Sequence, residues 1–310
     1  MSPRTRSHRT RSHRQASRNQ DLIELTESVA HSTDSLRFPA RDAVPVSTRA
    51  APAIAARSLA RASLLQAERI LVKWSKDPVT LLQSLLFPAL MVLLFWLVLD
   101  RSVSEHSGTS NVFGMVPMVA LVGAMSGSSI SGLGLQWERK TGLLSKMWTL
   151  PVHRASAMTG RLLAEAVRIV VTVTAVLLVG TIVGFRIHTG VPGYLAVIGV
   201  AVLFGLSFSM MVTALALRNA QSRVVEWTAV GTNLAMFFNT GFVPAESYPR
   251  WLRPVVEYQP MSCAIDTIRG LADAGPVWRP LVLTLLWSAA LLVLFTGPTV
   301  AGYRRAATDD

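Results

Sequence analysis

Six long apolar runs follow the first quarter of the chain, and each is close to the roughly 20 residues that a helix needs to cross a bilayer. The runs are 79–99, 113–135, 162–184, 194–217, 228–243 and 281–301. The fifth run is the shortest and carries Asn233, Asn239 and Thr240, a polarity that favours partial lining by protein or water. With 51% hydrophobic and 15% charged residues, a soluble fold would expose too much apolar surface. The pattern predicts an all-α membrane protein with six transmembrane helices.

Lysine and arginine are concentrated in the N-terminal region and in alternate segments between the apolar runs. The segments richest in these residues are 57–76, 139–154, 218–223 and 304–305. Such asymmetry orients membrane proteins with the basic segments inside. It predicts a multi-pass protein of the cell (plasma) membrane with both termini in the cytoplasm. The net charge of +12 is therefore explained by membrane topology, and we predict no nucleic-acid partner.

The N-terminal region, residues 1–52, has a composition of its own. Thr-Arg-Ser-His-Arg occurs twice in succession, at 5–9 and 10–14, and few large apolar residues follow. This composition is typical of disorder. We interpret the region as a disordered basic cytoplasmic tail that either contacts anionic membrane lipids or is a plain extension, and residues 53–310 as the transmembrane domain.

An amphipathic helix is predicted for 58–76, before the first run. Its apolar face carries Ala60, Leu64, Ala67, Leu71 and Trp74. Its polar face carries Gln66, Arg69, Lys73 and Lys76. This pattern is typical of a helix in the membrane surface, and a partner-binding helix has the same stripe.

Two segments between the runs are longer than turns require. Residues 138–154 combine charges with an apolar stripe, which predicts a short helix on the cytoplasmic face, either docked to a soluble partner or merely interfacial. Residues 244–280 predict short external re-entrant helices, one beginning near Pro249 and one after Pro260.

These residues include a set of motifs that resembles a known family. The motifs are Glu138-Arg139, Gly142, Leu150-Pro151, Phe237-Phe238, Gly241, Pro244, Pro249, Trp251-Leu252, Pro260 and Arg269-Gly270-Leu271. From about residue 60 onward, the chain resembles the ABC-2 type exporter permeases of the daunorubicin-resistance type. Through 150–156 and 302–306 it is most similar to the mycobacterial permeases of phthiocerol dimycocerosate lipids.

The resemblance implies a permease with six spans that forms a homo- or heterodimer and binds separate ABC ATPase subunits. It implies that 138–154 is the coupling helix, which contacts the ATPase. The residues we assign to this contact are Glu138, Arg139, Gly142, Leu143, Met147, Leu150 and Pro151. The external helices would close the pathway at the outer leaflet. This external cap carries Pro249, Trp251, Pro260, Asp266 and Arg269.

The chain contains no Gly-x-x-x-x-Gly-Lys-Ser/Thr phosphate loop. We therefore expect no catalytic residue, cofactor or metal on this chain, and place ATP and Mg²⁺ on the partner ATPase. The expected cargo is hydrophobic or amphipathic, a complex lipid or a drug. A membrane-embedded lipid-modifying transferase and a non-transporting assembly factor are the alternatives, although the loops lack the clustered carboxylates or histidines of an enzyme.

Arg161, Glu165 and Arg168 lie on one side of the entry to the third run, at i, i+4 and i+7. Charges within spans are costly and often functional, so we consider them as gating charges. In the alternative, Glu165 only pairs with its helical neighbours. The Gly- and Ser-rich stretch 123–134 has the small-residue spacing of a surface for helix packing or for dimerisation.

Overall fold

The computed structural model describes residues 52–107, 112–143, 155–218, 223–273 and 275–308. Within these ranges all regular structure is helical, which confirms the predicted all-α class. The tail predicted to be disordered lies outside the described residues, as do residues 144–154 of the predicted coupling helix, including Met147, Leu150 and Pro151.

Ten α-helices occur in the described part of the chain. They are α1 (Pro52–Ser75), α2 (Pro78–Leu81), α3 (Phe87–Ser107), α4 (Val112–Lys140), α5 (Ser156–Ile182), α6 (Gly190–Arg218), α7 (Arg223–Phe237), α8 (Arg253–Tyr258), α9 (Pro260–Ala272) and α10 (Trp278–Thr308). A π-helical turn, Leu82–Leu86, joins α2 to α3, and a 3-10 turn, Ala245–Ser247, precedes α8.

Five segments of the described chain are long and apolar enough to cross a membrane. The first is Pro78–Val98, which includes α2, the π-turn and most of α3, and the others are α4, α5, α6 and α10. They correspond to the first, second, third, fourth and sixth predicted runs. The helix α5 begins at Ser156, earlier than the predicted start at 162.

The fifth predicted run forms a shorter helix than expected. The helix α7 has 15 residues and ends at Phe237, so it is about 22 Å long, below the roughly 30 Å of a hydrocarbon core. Its end is set by Asn239, whose amide donates to the carbonyls of Ala235 and Met236 at 2.9 and 2.5 Å. Five of the six predicted spans are therefore confirmed as helices of span length, and a span at the fifth run stays a prediction.

The helix α4 lies at the centre of the bundle. In its most apolar window 78% of the residues are buried, against 17% for the first span and 11% for α10. Its small residues allow this packing: a Cβ atom on Gly132 would lie 2.7 Å from Cγ1 of Val212 on α6. The small-residue stretch therefore brings α4 close to its neighbours, as predicted.

The helix α1 is confirmed, but its apolar stripe packs largely on protein. Ala67 and Ile70 form a small core with Ala164 of α5, and Leu71 and Trp74 pack against it. The two helices cross at Gly160, where a Cβ atom would lie 2.6 Å from Cβ of Gln66 and 2.8 Å from the carbonyl oxygen of Ser63. At its N-terminal end, Ala60 and Leu64 of the apolar face remain exposed, Leu64 at 59%.

Candidate functional site

Three clusters of polar side chains, most of them buried, interrupt the apolar interior. We call them by their acidic residues: the Glu138 cluster (Arg69, Glu138, Arg161 and Tyr303), the Glu165 cluster (Gly127, Glu165 and Arg168) and the Asp266 cluster (Asn239, Thr240, Ser262, Asp266 and Arg269). Because a buried charge without a partner is very costly, each cluster must be internally compensated.

The Glu138 cluster joins four helices at one end of the bundle. Glu138 lies in the last turn of α4, and its Oε2 accepts a 2.6 Å hydrogen bond from Arg161 of α5. Its other oxygen lies 3.5 Å from Nη2 of Arg69 on α1. The phenol of Tyr303, on α10, lies beside the Arg161 guanidinium. Apart from Arg69, these side chains are buried.

This arrangement places one carboxylate between two guanidinium groups. Arg161 also donates to the backbone and hydroxyl oxygens of Ser131, both at 3.2 Å. Charge-assisted bonds of this kind are short and directional. A few polar contacts therefore connect the end of α4 to α1, α5 and α10.

The Glu165 cluster lies near the middle of the 27-residue helix α5. Arg168 donates twice to Oε2 of Glu165, at 2.8 and 3.0 Å, which confirms pairing between helical neighbours. Arg168 also donates to the carbonyls of Gly123 and Ala124 on α4, at 3.4 and 2.9 Å. Glu165 is fully buried, and its Oε1 has no hydrogen-bond donor among the described residues.

Gly127 makes room for the Arg168 guanidinium. A Cβ atom on Gly127 would lie only 1.8 Å from Nη1 and 2.1 Å from Cζ of Arg168. The guanidinium thus lies where any other residue of α4 would have its side chain. The glycine stretch therefore does more than pack helices: it accommodates a charge of the neighbouring helix.

The Asp266 cluster holds the chain where α7 ends. Oδ1 of Asn239 accepts from the Gly241 amide at 2.6 Å, and Ser262 of α9 accepts from the Thr240 amide at 3.3 Å. Gln259 donates to the Phe238 carbonyl. Non-helical backbone at membrane depth is tolerated when protein groups satisfy it, as they do here.

Asp266 and Arg269 form the predicted pair one turn apart on α9. Oδ1 of Asp266 lies 3.8 Å from Arg269 and accepts a 2.9 Å bond from Thr240, whose carbonyl in turn accepts from Arg269 at 3.2 Å. Burial raises the pKa of Asp266 above its ordinary value, and the hydrogen bond from Thr240 opposes this.

The other predicted site residues are placed as follows. Arg139, in the last turn of α4, donates to the Leu217 carbonyl of α6 at 2.5 Å. Gly142 has a φ of 64° in the turn after α4, a conformation that favours glycine, and Leu143 follows it. The first helix of the external cap was predicted to begin near Pro249, but α8 begins at Arg253. Trp251 is 77% exposed.

The helix α9 begins with Pro260 in its first turn, as predicted. Pro260 is well suited to this place because a proline lacks the amide proton that would go unpaired there. The cap therefore consists of the short α8 and the longer α9, and only α9 contributes to the Asp266 cluster.

Sequence reasoning missed Tyr303 and Thr172. Tyr303 follows the sixth apolar run, a position where tyrosines commonly anchor a helix at the membrane interface. In the structure it is 6% exposed and lies beside Arg161. Thr172, one turn beyond Arg168, donates to the Ser84 carbonyl of the first span. Thr172 lies four residues after Arg168 and therefore on the same face of the helix, which was the available signal. A single hydroxyl in an apolar run is too common to indicate a specific contact.

Comparison with known proteins identifies the family. The sequence profile described as ABC-2 type transporter matches residues 63–272, about two-thirds of the chain. The chain belongs to the ABC-2 type transporter family. The matched region extends from α1 to α9 and contains all three clusters except Tyr303.

Individual relatives of this ABC-2 protein agree with the profile. It is 40% identical over 254 residues to the probable doxorubicin resistance ABC transporter permease protein DrrC of Mycobacterium tuberculosis, covering 82% of this chain and 92% of that one. It is 25% identical over 244 residues to the daunorubicin resistance permease DrrB1 of Streptomyces coeruleorubidus, covering 78% and 86%. The predicted resemblance is confirmed.

Membership of this family, together with the apolar helices, establishes a multi-pass membrane protein. ABC-2 permeases generally pair with an ATP-hydrolysing subunit and act as dimers. The three clusters thus belong to a protein whose relatives are transport subunits.

Proposed function

We propose that this chain is the permease subunit of an ABC exporter. It moves a hydrophobic or amphipathic cargo, a complex lipid or a drug such as doxorubicin, out of the cell across the plasma membrane. A separate ABC ATPase binds ATP and Mg²⁺, and a second permease, identical or related, completes the complex. Both termini face the cytoplasm, and the chain itself catalyses no reaction.

The Glu138 cluster carries this proposal. It ties the end of α4, from which the predicted coupling segment 138–154 continues, to helices of the bundle. A push on that segment therefore reaches α5 through Arg161 and α1 through Arg69. Contiguous contacts of this kind between elements that move as rigid bodies can carry conformational coupling.

Co-purification and efflux together test the proposal. The tagged chain, gently solubilised, should bring down an ATPase with a phosphate loop. Cells producing both proteins should accumulate less doxorubicin than cells in which the phosphate-loop lysine of that ATPase is replaced. Failure to recover any ATPase under conditions that keep a known ABC exporter intact would refute the permease assignment.

A Glu138→Gln variant tests the role of the cluster within the same experiment. The amide keeps the size of the side chain and removes the charge shared by Arg69 and Arg161. We expect efflux to fall about tenfold or more, since losing one partner of a buried charged pair costs about 3–5 kcal/mol. Glu226→Gln on the exposed surface of α7 is the matched control and should retain wild-type efflux.

A further inference from the structure

The first span departs from regular α-helix near the Glu165 cluster, at a π-turn followed by a proline, a combination at which helices bend. Between α2 and α3 the π-helical turn Leu82–Leu86 accommodates an extra residue, and the Phe87 amide bonds to the Leu82 carbonyl five residues back. Turns of this kind inside helices are uncommon and frequently occur at functional sites. Pro88 follows directly and removes one amide proton from the helix.

Thr172 takes over the bond that Pro88 cannot make. In a regular helix the amide of residue 88 would donate to the carbonyl of Ser84, but proline has no amide proton. The Thr172 hydroxyl, on α5, donates to that carbonyl at 2.9 Å. Both residues are buried, at 1% and 7% exposure, and a buried carbonyl without a partner costs about 1–3 kcal/mol.

Gly123 of α4 completes this junction of three helices. A Cβ atom on Gly123 would lie 2.9 Å from Cγ2 of Thr172 and 3.1 Å from Cγ of Pro88. The Gly123 carbonyl accepts from Arg168. The bend of the first span is therefore in contact with α4, with α5 and, through one residue, with the Glu165 cluster.

An apolar crevice lies against the residues that follow the bend. Phe87, Pro88 and Met91 of the first span form one wall, Gly123 and its neighbours on α4 form another, and Met236 lies near the end of α7. The first wall consists of the residues whose direction the π-turn and Pro88 determine. A change in the direction of these residues would therefore change the width of the crevice.

We propose that Thr172 is a positioning residue of the transport cycle. By bonding the carbonyl that Pro88 leaves without its regular donor, it fixes the bent first span against α4 and α5 and holds Phe87, Pro88 and Met91 at the crevice. Without the hydroxyl the bend is no longer fixed, and the movement of α5 is not passed to the first span. This inference rests on the proposed permease function.

Four variants test the proposal in the full complex with its ATPase. Thr172→Val removes the hydroxyl and keeps the branched shape, whereas Thr172→Ser keeps the hydroxyl and loses the methyl group near Gly123. Pro88→Ala returns the missing amide proton. We expect Thr172→Val to lower the amount of doxorubicin exported per ATP hydrolysed at least fivefold. The same ratio should stay within twofold of wild type in Thr172→Ser. In the double variant Thr172→Val/Pro88→Ala it should equal the ratio of Pro88→Ala alone.

A role in packing alone predicts the opposite order, with Thr172→Ser impaired and Thr172→Val close to wild type, and that order would overturn the proposal. So would a Thr172→Val defect that Pro88→Ala does not repair. The ratio of export to hydrolysis matters because a merely unstable variant lowers both together. If the wild-type complex exports nothing, the proposed function fails instead. Thermal unfolding of the same four variants then still tests the bond from Thr172 to Ser84. Equal unfolding midpoints for Thr172→Val and Thr172→Ser would refute that bond.

Discussion

Two arginines of α5 reach the backbone of α4 at matching intervals. Arg161 donates to Ser131, and Arg168 donates to Ala124 and Gly123. Seven residues separate the two arginines, and seven separate Ser131 from Ala124, as expected for two helices that run in opposite directions. Each guanidinium has a carboxylate partner, so both charges are compensated within the protein. They therefore act first as connections between helices, and any gating role works through those connections.

Gly127 is the residue on which the Glu165 cluster depends most directly. In a Gly127→Ala variant the new methyl group occupies the position of the Arg168 guanidinium, which has to leave its bonds to Glu165 and the α4 carbonyls. We expect a loss of about 3–5 kcal/mol in stability, the cost of breaking a buried charged pair. The measurement is the thermal midpoint of the purified protein in detergent.

Gly134→Ala on the same helix is the matched control. A Cβ atom there meets no other atom within 4 Å, and alanine is favoured over glycine in helices by up to about 1 kcal/mol. We expect an unchanged or raised midpoint. Equal effects of the two substitutions would mean that Arg168 does not need the space at Gly127.

Among the elements, α7 and α9 show where prediction from sequence stops. Asn239 and Thr240 indicated that the fifth run is atypical, and Asn239 does end α7. The groups that satisfy the freed backbone, Gln259 and Ser262, come from a different segment of the chain. The polarity of these two residues does not predict their bonds to that backbone, because the bonds depend on how α9 packs against the end of α7.

The packing of α1 on α5 is a second feature that the periodicity of α1 left open. An apolar stripe can pack on lipid or on protein equally well. The close approach of the two helices at Gly160 shows that this stripe packs on protein. The hydroxyls of Ser63 and Thr159 lie 2.6 Å apart at the same crossing. The amphipathic pattern thus predicted the helix and part of its buried face but not its partner.

We expect Gly160→Ala to loosen α1 from α5. The methyl group would lie within 3 Å of the Gln66 side chain and the Ser63 backbone, and overpacking of this kind costs about 1–3 kcal/mol. The prediction is a lower thermal midpoint together with faster trypsin cleavage after Lys73. Gly199→Ala on α6, where a Cβ atom meets nothing within 4 Å, should change neither quantity, and unchanged cleavage in Gly160→Ala would contradict the packing argument.

For the whole molecule, the apolar runs predicted the helical class and five span-length helices, because length and hydropathy are local properties. The three clusters were only partly predicted. Charges at the start of an apolar run or within it, such as Arg161 and Arg168, are visible in the sequence, whereas Glu138 belongs to a segment between runs and Tyr303 follows the sixth run. Their joint role depends on four helices meeting at one end of the bundle, which no local pattern encodes.

Orientation in the membrane is the last prediction, and labelling of single cysteines tests it. The exposed residues Arg250, before α8, and Lys140, at the end of α4, lie on opposite sides in the proposed topology. We expect Arg250→Cys to react with a membrane-impermeant maleimide in intact cells and Lys140→Cys to react only after permeabilisation. The native Cys263 should stay silent, because it is 2% exposed and burial raises its pKa to about 11, which leaves little reactive thiolate at neutral pH. Labelling of Lys140→Cys in intact cells, with Arg250→Cys protected, would reverse the topology and place the Glu138 cluster on the side where no ATP is available.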